Sequence, residues 1–144
     1  VYQTDNNVVD TQVVQAEFAD GIHVAFTMCG HNGVERRMTK ISLTRGEIVY
    51  DGGNPDVVTV HRYAPVKRTE TIRVVSRGTH AGGDRAIMDN FVDAIITGDT
   101  SRLKTPIRKS LEGHLLVFAA EASRREGRIV DVRDYERQLR AAAR

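Results

Sequence analysis

The chain has 144 residues, of which 28% are charged and 40% hydrophobic, and its formal net charge is +2. This length fits a single domain over residues 1–144 with its own core, and the composition is that of a globular protein rather than a disordered or membrane chain. No apolar run is long enough to cross a bilayer and no secretory signal pattern opens the chain, so we predict a cytoplasmic protein with no membrane partner. The single cysteine, Cys29, lacks a disulfide partner and is interpreted as a small hydrophobic residue in a strand.

The first half of the sequence alternates with a period of two, which is typical of strands. In "VVQAEFADGIHVAFTM", a three-residue loop with Gly21 in the left-handed conformation pairs Phe18 with Ile22 and gathers the apolar side chains on one face. The further predicted pairs are Ala16 with Val24 and Val14 with Phe26. The opposite face then carries small or polar residues: Gln15, Glu17, His23, Ala25, Thr27 and Cys29.

A second hairpin is predicted to turn at Arg45 and Gly46. It would pair Leu43 with Ile48 and Ile41 with Tyr50. After a turn-forming "DGGNPD" segment, two more β-rich runs occupy residues 57–63 and 69–76.

The period changes to that of a helix after residue 83, because Ile87, Phe91 and Ile95 recur every four residues. Asp84 is predicted to be the N-cap of this helix and Gly98 its C-terminal stop. A second helix is predicted from Pro106, placed at the first helical position, to Gly127. Its predicted inward side chains are Leu111, Leu115, Phe118, Ala119 and Ala122.

A last helix is predicted to open at Asp131, with Asp134 three residues later in a carboxylate variant of the capping box. Strands therefore precede helices along the chain. This order predicts an α+β fold, with a largely antiparallel open sheet and helices packed on one apolar face.

The stretch "GTHAGGD" places an imidazole, two adjacent glycines and a carboxylate directly before the first helix. A strand that turns into a helix explains Gly82 and Gly83 by their conformational freedom, and Asp84 by capping. It does not explain His80. The exposed amides of a helix start favour a polar or anionic ligand, so both a plain turn and a ligand-binding loop fit these residues.

Other motifs are weaker. The histidines have no metal-ligand spacing, and no Gly-rich cofactor fingerprint or nucleophile elbow is present. The C-terminal arginines alternate with carboxylates, which favours a solvated helix surface over a nucleic-acid interface. His114 falls one helical turn from Leu111 and Phe118, which places it at the edge of the core. The residues therefore predict neither a metal site nor a complete catalytic apparatus.

Several linked segments resemble the C-terminal, GAPDH-like domain of the Gfo/Idh/MocA oxidoreductases in order and spacing. They are "VVDTQVVQAEFADGIHVAFTM", the "RGEI" turn, "HAGGD" leading into "IMDNFVDAI", and "SLEGHLLVFAAEASRREGRIVDV". Family members are NAD(P)-dependent dehydrogenases or reductases of sugars, inositols and related polyols, and they place a Rossmann domain first. The resemblance spans nearly the whole chain.

The resemblance implies a division of labour between two domains. This chain lacks three motifs of the family: the Gly-rich fingerprint, the Glu-Lys-Pro motif and the Asp-x-x-x-His pair. NAD(P) is therefore expected to bind to a domain that precedes Val1, and this chain is expected to bind no NAD(P). The matching positions His80, Gly82, Gly83 and Asp84 are the expected substrate-binding residues, with His80 donating or accepting a hydrogen bond to a sugar hydroxyl. Ala81 stands where many relatives have glycine.

The expected function is the substrate-binding and assembly half of a sugar or polyol dehydrogenase, inactive alone and homo-oligomeric through its sheet face. The small and polar face that includes Gln15, Ala25, Thr27 and Cys29 is compatible with that interface. The alternative is a stand-alone protein-interaction module that retains the fold. A third hypothesis, nucleic-acid binding by the C-terminal arginines, predicts a steep dependence of binding on salt.

Overall fold

The structure is a computed structural model that describes residues 7–54, 56–75 and 79–143, without the side chains of residues 79 and 81. It is an α+β protein, and the strands come before the helices as predicted. The strands are β1 (Thr11–Glu17), β2 (His23–Cys29), β3 (Met38–Leu43), β4 (Gly46–Asp51), β5 (Val57–Arg62) and β6 (Arg68–Arg73). The helices are α1 (Gly83–Thr97), α2 (Ile107–Glu126) and α3 (Val132–Ala142), with short 3-10 turns at Thr79–Gly82 and Thr100–Arg102.

The strands form two antiparallel sheets, β1-β2 and β3-β4-β5-β6, where one sheet was expected. The chain divides into two compact units, one of Val1–Val13 and Thr27–Met88, the other of Val14–Phe26 and Asp89–Arg144. The prediction of one domain over residues 1–144 stays a prediction. The end of the last predicted strand, Ser76, lies outside the described residues.

The register of the β1-β2 hairpin is confirmed. The N–H of Phe18 donates to the carbonyl of Ile22 at 2.9 Å, and Gly21 closes the loop with φ 81°. At the far end the N–H of Gly30 donates to the carbonyl of Asp10 at 2.6 Å, which continues the same register. The other predicted partners therefore also lie opposite each other: Ala16 with Val24 and Val14 with Phe26.

The predicted strand pairing of the second hairpin is wrong by two residues, and its predicted turn by one. Leu43 lies opposite Gly46 and Ile41 opposite Ile48, so the loop consists of residues 44 and 45. The reason is the next strand: a Cβ at Gly46 would collide with the carbonyl oxygen of His61. This glycine is needed inside the ladder, where β5 approaches closely, rather than in the turn.

A shift of two residues preserves which side of the sheet each side chain faces. Ile41, Ile48 and Val60 therefore form one apolar row across β3, β4 and β5. The neighbouring row on that face contains Thr39, Tyr50, Val58 and Ile72. The opposite face, called the polar face below, carries Lys40, Ser42, Glu47, Thr59, His61, Thr69 and Thr71 together with the apolar Met38, Val49 and Val57.

At one end of the apolar face, two arginines stand directly opposite each other. Arg62 pairs with Arg68 across β5 and β6, and like charges at such positions destabilise a sheet. Glu70 resolves the repulsion, because its carboxylate accepts from Arg62 Nε at 2.7 Å and from Arg68 Nε at 2.6 Å. The two guanidinium groups lower the pKa of Glu70 below its ordinary value.

The first helix ends as predicted and begins differently. Gly98 follows α1 with φ 68°, which confirms the predicted stop. Asp84 is not the N-cap, because the 3-10 turn Thr79–Gly82 runs into a helix that starts at Gly83 and leaves Asp84 in the first turn. Its carboxylate contacts His80.

The segment between α1 and α2 is held by one side chain that sequence patterns did not single out. Asn90 donates from Nδ2 to the carbonyl of Arg102 at 2.6 Å and accepts from the N–H of Lys104 at 2.9 Å. A side-chain amide can make both bonds at once because it carries a donor and an acceptor. Asn90 therefore joins α1 to the chain that leads into α2.

The second helix starts one residue later than predicted and ends where predicted. Pro106 is the N-cap, with extended ψ 156°, rather than the first helical residue, and its carbonyl accepts the first helical bonds. Gly127 ends the helix in the left-handed conformation, φ 64°. Of the predicted inward side chains, Leu115 and Ala119 are buried and Ala122 is half-buried, whereas Leu111 and Phe118 are exposed.

The third helix is capped as predicted: the side chain of Asp131 accepts from the N–H of Asp134 at 2.9 Å. The predicted charge pairing is also present. Arg124 Nε and Arg125 Nε contact the carboxylate of Glu121 at 2.8 and 2.5 Å, and together they lower the pKa of Glu121 to about 2. Further pairs join Arg128 to Glu126, Arg137 to Asp134 and Arg140 to Glu136.

Few side chains are fully buried in the described part of the chain. The buried apolar residues are Ala94, Leu115 and Ala119, while Ile87, Phe91 and Ile95 on α1 are more than half exposed. Cys29 is half-buried at the end of β2. Within the described ranges, no helix combines the length and apolarity that crossing a membrane requires.

Candidate functional site

The loop before α1 brings the two predicted polar site residues together. Nδ1 of His80 lies 2.8 Å from Oδ2 of Asp84, four residues later. The 3-10 turn carries the histidine and the first turn of α1 carries the carboxylate, so local backbone geometry sets their separation. Both side chains remain open to solvent, with 73% of the His80 side chain and 59% of the Asp84 side chain exposed.

The backbone of His80 is held in an uncommon conformation. Its φ is 50°, and among the described residues it is the one residue other than glycine in the left-handed region. Histidine enters this region more readily than most residues, yet a Cβ still makes it unfavourable. Such conformations cluster at functional sites, where the surrounding structure maintains them.

The two glycines of the loop have different structural roles. Gly82 has φ 81°, which side chains with a Cβ rarely adopt, so the turn requires a glycine there. Gly83 begins α1, and a Cβ added to it would meet no atom within 4 Å. Packing within the described structure therefore does not require Gly83, and the space beside its backbone is open. Gly78, the first residue of the quoted stretch, lies outside the described residues.

His114 makes local contacts on α2. Nδ1 of His114 contacts the carbonyl of Ser110 at 2.7 Å, and its ring lies 6.3 Å from that of Phe118. The ring of His114 is exposed rather than at the edge of the core. Across the described ranges, no group of three or more His, Cys, Asp or Glu residues is arranged to hold a metal ion.

A second polar cluster, which sequence patterns did not reveal, lies on the polar face of the four-stranded sheet. Lys40 Nζ contacts Oε2 of Glu47 at 2.7 Å, and Nδ1 of His61 lies 2.9 Å from Oγ1 of Thr69. The hydrogen bond from Lys40 lowers the pKa of Glu47, and partial desolvation together with Glu47 raises the pKa of Tyr63.

The cluster follows from strand register. Glu47 lies opposite His61, and His61 lies opposite Thr69, so three polar side chains form one row across β4, β5 and β6. Pairs of this kind stabilise neighbouring strands. The sequence signal was the polar half of each period-two run, but only the register shows which polar residues meet. We assign the cluster to strand pairing.

A shallow groove at the start of α3 is lined in part by Arg128, Asp131, Asp134 and Tyr135. None of the predicted site residues lines it. Its carboxylates already have partners, since Asp131 caps α3 and Asp134 pairs with Arg137. No buried side-chain polar atom in the described structure lacks a hydrogen-bond partner, so nothing in this groove points to a ligand.

The described residues do not form the site of a dinucleotide-binding fold. Such a fold places the pyrophosphate at a helix start that follows a parallel strand. Here the described sheets are antiparallel, and the first turn of α1 carries the carboxylate of Asp84. The site can instead offer hydrogen bonds to a neutral ligand through the imidazole of His80 and the open backbone at Gly83.

Comparison of the chain with protein-family models, with curated proteins and with solved structures finds no match in any of the three.

Proposed function

We propose that this chain is the substrate-binding and assembly domain of an NAD(P)-dependent sugar or polyol dehydrogenase of the Gfo/Idh/MocA type. The observation that carries the proposal is the exposed His80–Asp84 pair, 2.8 Å apart, beside the open backbone of Gly83. In this proposal His80, Gly82, Gly83 and Asp84 bind the substrate, and the domain that holds NAD(P) performs the hydride chemistry. The isolated chain binds no NAD(P) and turns over no substrate.

A hydroxylated, neutral ligand fits the charges of the site better than an anion. The imidazole of His80 contacts the carboxylate of Asp84, and a negatively charged neighbour disfavours an anion at the same place. An imidazole and backbone amide groups both form hydrogen bonds with alcohols. Sugars and polyols supply several hydroxyl groups at once, so this loop can form one wall of a larger site.

The assembly part of the proposal is supported by exposed apolar surface. Ile41, Leu43 and Ile72 on the apolar face of the four-stranded sheet are each about half exposed, at 47%, 55% and 49%. Contiguous apolar patches on soluble proteins are normally covered by another surface. We propose that the fold is that of the GAPDH-like C-terminal domain of the Gfo/Idh/MocA oxidoreductases. We also propose that the small and polar face carrying Gln15, Ala25, Thr27 and Cys29 joins subunits.

The proposal is tested by titrating the isotope-labelled chain with myo-inositol and with glucose while recording backbone amide spectra. The amides of Gly82, Gly83 and Asp84 should shift on addition of one of these ligands. His80→Ala should abolish the shifts, whereas His114→Ala, a matched change of an exposed histidine on α2, should leave them intact. NADH should cause no shift and no change in fluorescence.

Three results would refute the proposal. One is the absence of any response to myo-inositol and glucose. Micromolar binding of NADH would place a cofactor site in this chain. An identical polyol response in wild type and His80→Ala would remove His80 from the site.

The stand-alone interaction module is the second candidate, and the β1-β2 hairpin favours it. A two-stranded sheet is marginally stable alone. Among the described strands, none pairs with the outer edges of β1 and β2, and such edges can pair with a partner. If the chain is a stand-alone interaction module, polyols should cause no shift of the amide signals in wild type or in any variant. It also predicts that substitutions on the exposed face of the hairpin, such as Thr27→Arg, disrupt self-association or partner binding, which sedimentation measures.

A further inference from the structure

The His80–Asp84 pair determines which ring nitrogen is available to a ligand. We infer that Asp84 is a positioning residue that holds the neutral His80 imidazole as its Nδ1–H tautomer, so that Nε2 accepts a hydrogen bond from a hydroxyl of the ligand. The ligand's identity rests on the proposed function. The tautomer rests on the geometry of the chain alone.

The tautomer follows from the chemistry of the two partners. Nδ1 of His80 is 2.8 Å from Oδ2 of Asp84, which is hydrogen-bond distance. An ionised carboxylate only accepts hydrogen bonds, so Nδ1 must carry the proton that is shared. A neutral imidazole has one N–H, and its other nitrogen has a lone pair. Nε2 of His80 is therefore an acceptor.

The surroundings leave Nε2 open to a ligand. Within the described part of the chain this nitrogen has no hydrogen-bond partner, and 73% of the side chain is exposed. The left-handed backbone at His80 and the first turn of α1 bring the ring and the carboxylate together from positions four residues apart. The carboxylate thus orients the ring and fixes its tautomer, as acidic partners of functional histidines commonly do.

An acceptor at Nε2 selects one class of ligand group. An alcohol can donate a hydrogen bond to it, whereas a carbonyl oxygen or a fully ionised phosphate cannot. A histidine in the other tautomer would present an N–H and would favour those groups instead. The inferred tautomer answers the choice that sequence left open: His80 accepts, and the group that it would bind is a hydroxyl.

The tautomer is measured in a long-range proton–nitrogen correlation spectrum of the labelled 144-residue chain at about pH 8.5, where histidine side chains are ordinarily neutral. His80→Ala identifies the signals of residue 80. His114 serves as an internal reference, because its Nδ1 faces the carbonyl of Ser110 at 2.7 Å and must also carry a proton. The wild-type His80 pattern should match that of His114. An Nε2–H pattern for wild-type His80 would overturn the inference.

Substitution of the partner tests whether Asp84 causes the preference. Asp84→Ala should shift the His80 pattern toward the Nε2–H form while leaving that of His114 unchanged, and Asp84→Glu should restore it. Asp93→Ala, an exposed aspartate on the same helix, is the matched control and should change neither pattern. Unchanged amide signals along α1 show that the helix is intact. A His80 pattern that is the same with and without the carboxylate refutes the role of Asp84.

Ligand titrations of the same variants separate the inference from the proposed function. The dissociation constant for the responding polyol should rise roughly two- to tenfold in Asp84→Ala, since the binding-competent tautomer is less populated. Inorganic sulfate, which carries no proton to donate at this pH, should leave the His80 ring signals of wild type unchanged. The expected tautomer patterns without any polyol response would support the positioning by Asp84 and refute the proposed function. Sulfate binding at Nε2 would overturn the inference.

Discussion

Replacing His80 by glycine should stabilise the chain while abolishing its ligand binding, and alanine at the same position should not stabilise it. The left-handed φ of 50° is the reason. A Cβ in this region costs about 1–2 kcal/mol, and glycine does not incur that cost. Glycine loses more backbone entropy on folding, by about 0.5–1 kcal/mol. The net expectation is that His80→Gly is more stable than His80→Ala by about 1 kcal/mol.

Both variants lose the contact with Asp84, so this contact cancels in the comparison. It contributes little stability in any case, because both side chains are mostly exposed. The measurement is urea-induced unfolding followed by far-UV circular dichroism. The matched control is Asp93, an exposed residue in the middle of α1. At this position the order of stability should reverse, so that Asp93→Ala is more stable than Asp93→Gly by about 1 kcal/mol.

If the alanine variant were more stable than the glycine variant at both positions, the reasoning would be refuted. That result would mean that residue 80 does not keep its left-handed conformation in solution. A His80→Gly variant that binds polyol as wild type does would show that the unfavourable backbone is not maintained for the histidine's function.

Three further predictions concern the scaffold. Gly46→Ala should destabilise the chain by about 1–3 kcal/mol, because the added Cβ meets the backbone of β5. Gly113→Ala, in an open helical position, should stabilise the chain by up to about 1 kcal/mol. Urea unfolding compares the two variants, and equal effects on stability would contradict the β4 register. The pKa of Glu121 is lowered to about 2, so its ion pairs contribute fully to stability above the ordinary carboxyl pKa of 4.5. The stability difference between wild type and Glu121→Gln should therefore shrink as the pH falls from about 4.5 to about 2. A stability difference that does not depend on pH would argue against the pairing. Asp131→Ala should cost about 1 kcal/mol by removing the N-cap of α3, while Asp131→Asn keeps the acceptor and should stay close to wild type in unfolding and helix content.

The features that the sequence predicted correctly depend on a few neighbouring residues. The β1-β2 register follows from the alternation around Gly21, and α1 and α2 end at Gly98 and Gly127, because only glycine readily takes the left-handed conformation at such positions. The cap of α3 at Asp131 likewise involves atoms three residues apart. In each case a short segment contains both partners of the interaction, so a local pattern is sufficient.

The candidate site was predictable in its residues and not in its arrangement. His80 stood out because a turn has no need for an imidazole. Asp84 was assigned to capping because a carboxylate before a helix usually accepts from backbone amides. Which acceptor or donor the carboxylate meets depends on where the helix begins. Because the 3-10 turn at Thr79–Gly82 leads directly into α1, the helix starts at Gly83, two residues earlier than an N-cap at Asp84 would place it.

The amino-acid sequence alone determined the α+β order, the period of each element and the residues that end the helices, since these depend on local conformational preferences. Only the tertiary structure decided the register of β4, where Gly46 must lie against the carbonyl of His61 on the next strand, and the joining of the α1–α2 segment by Asn90. It also decided that the sheet polar groups Lys40 and Glu47 meet. These contacts join residues separated along the chain, and their geometry is fixed only when strands and helices pack, so no local pattern contains them.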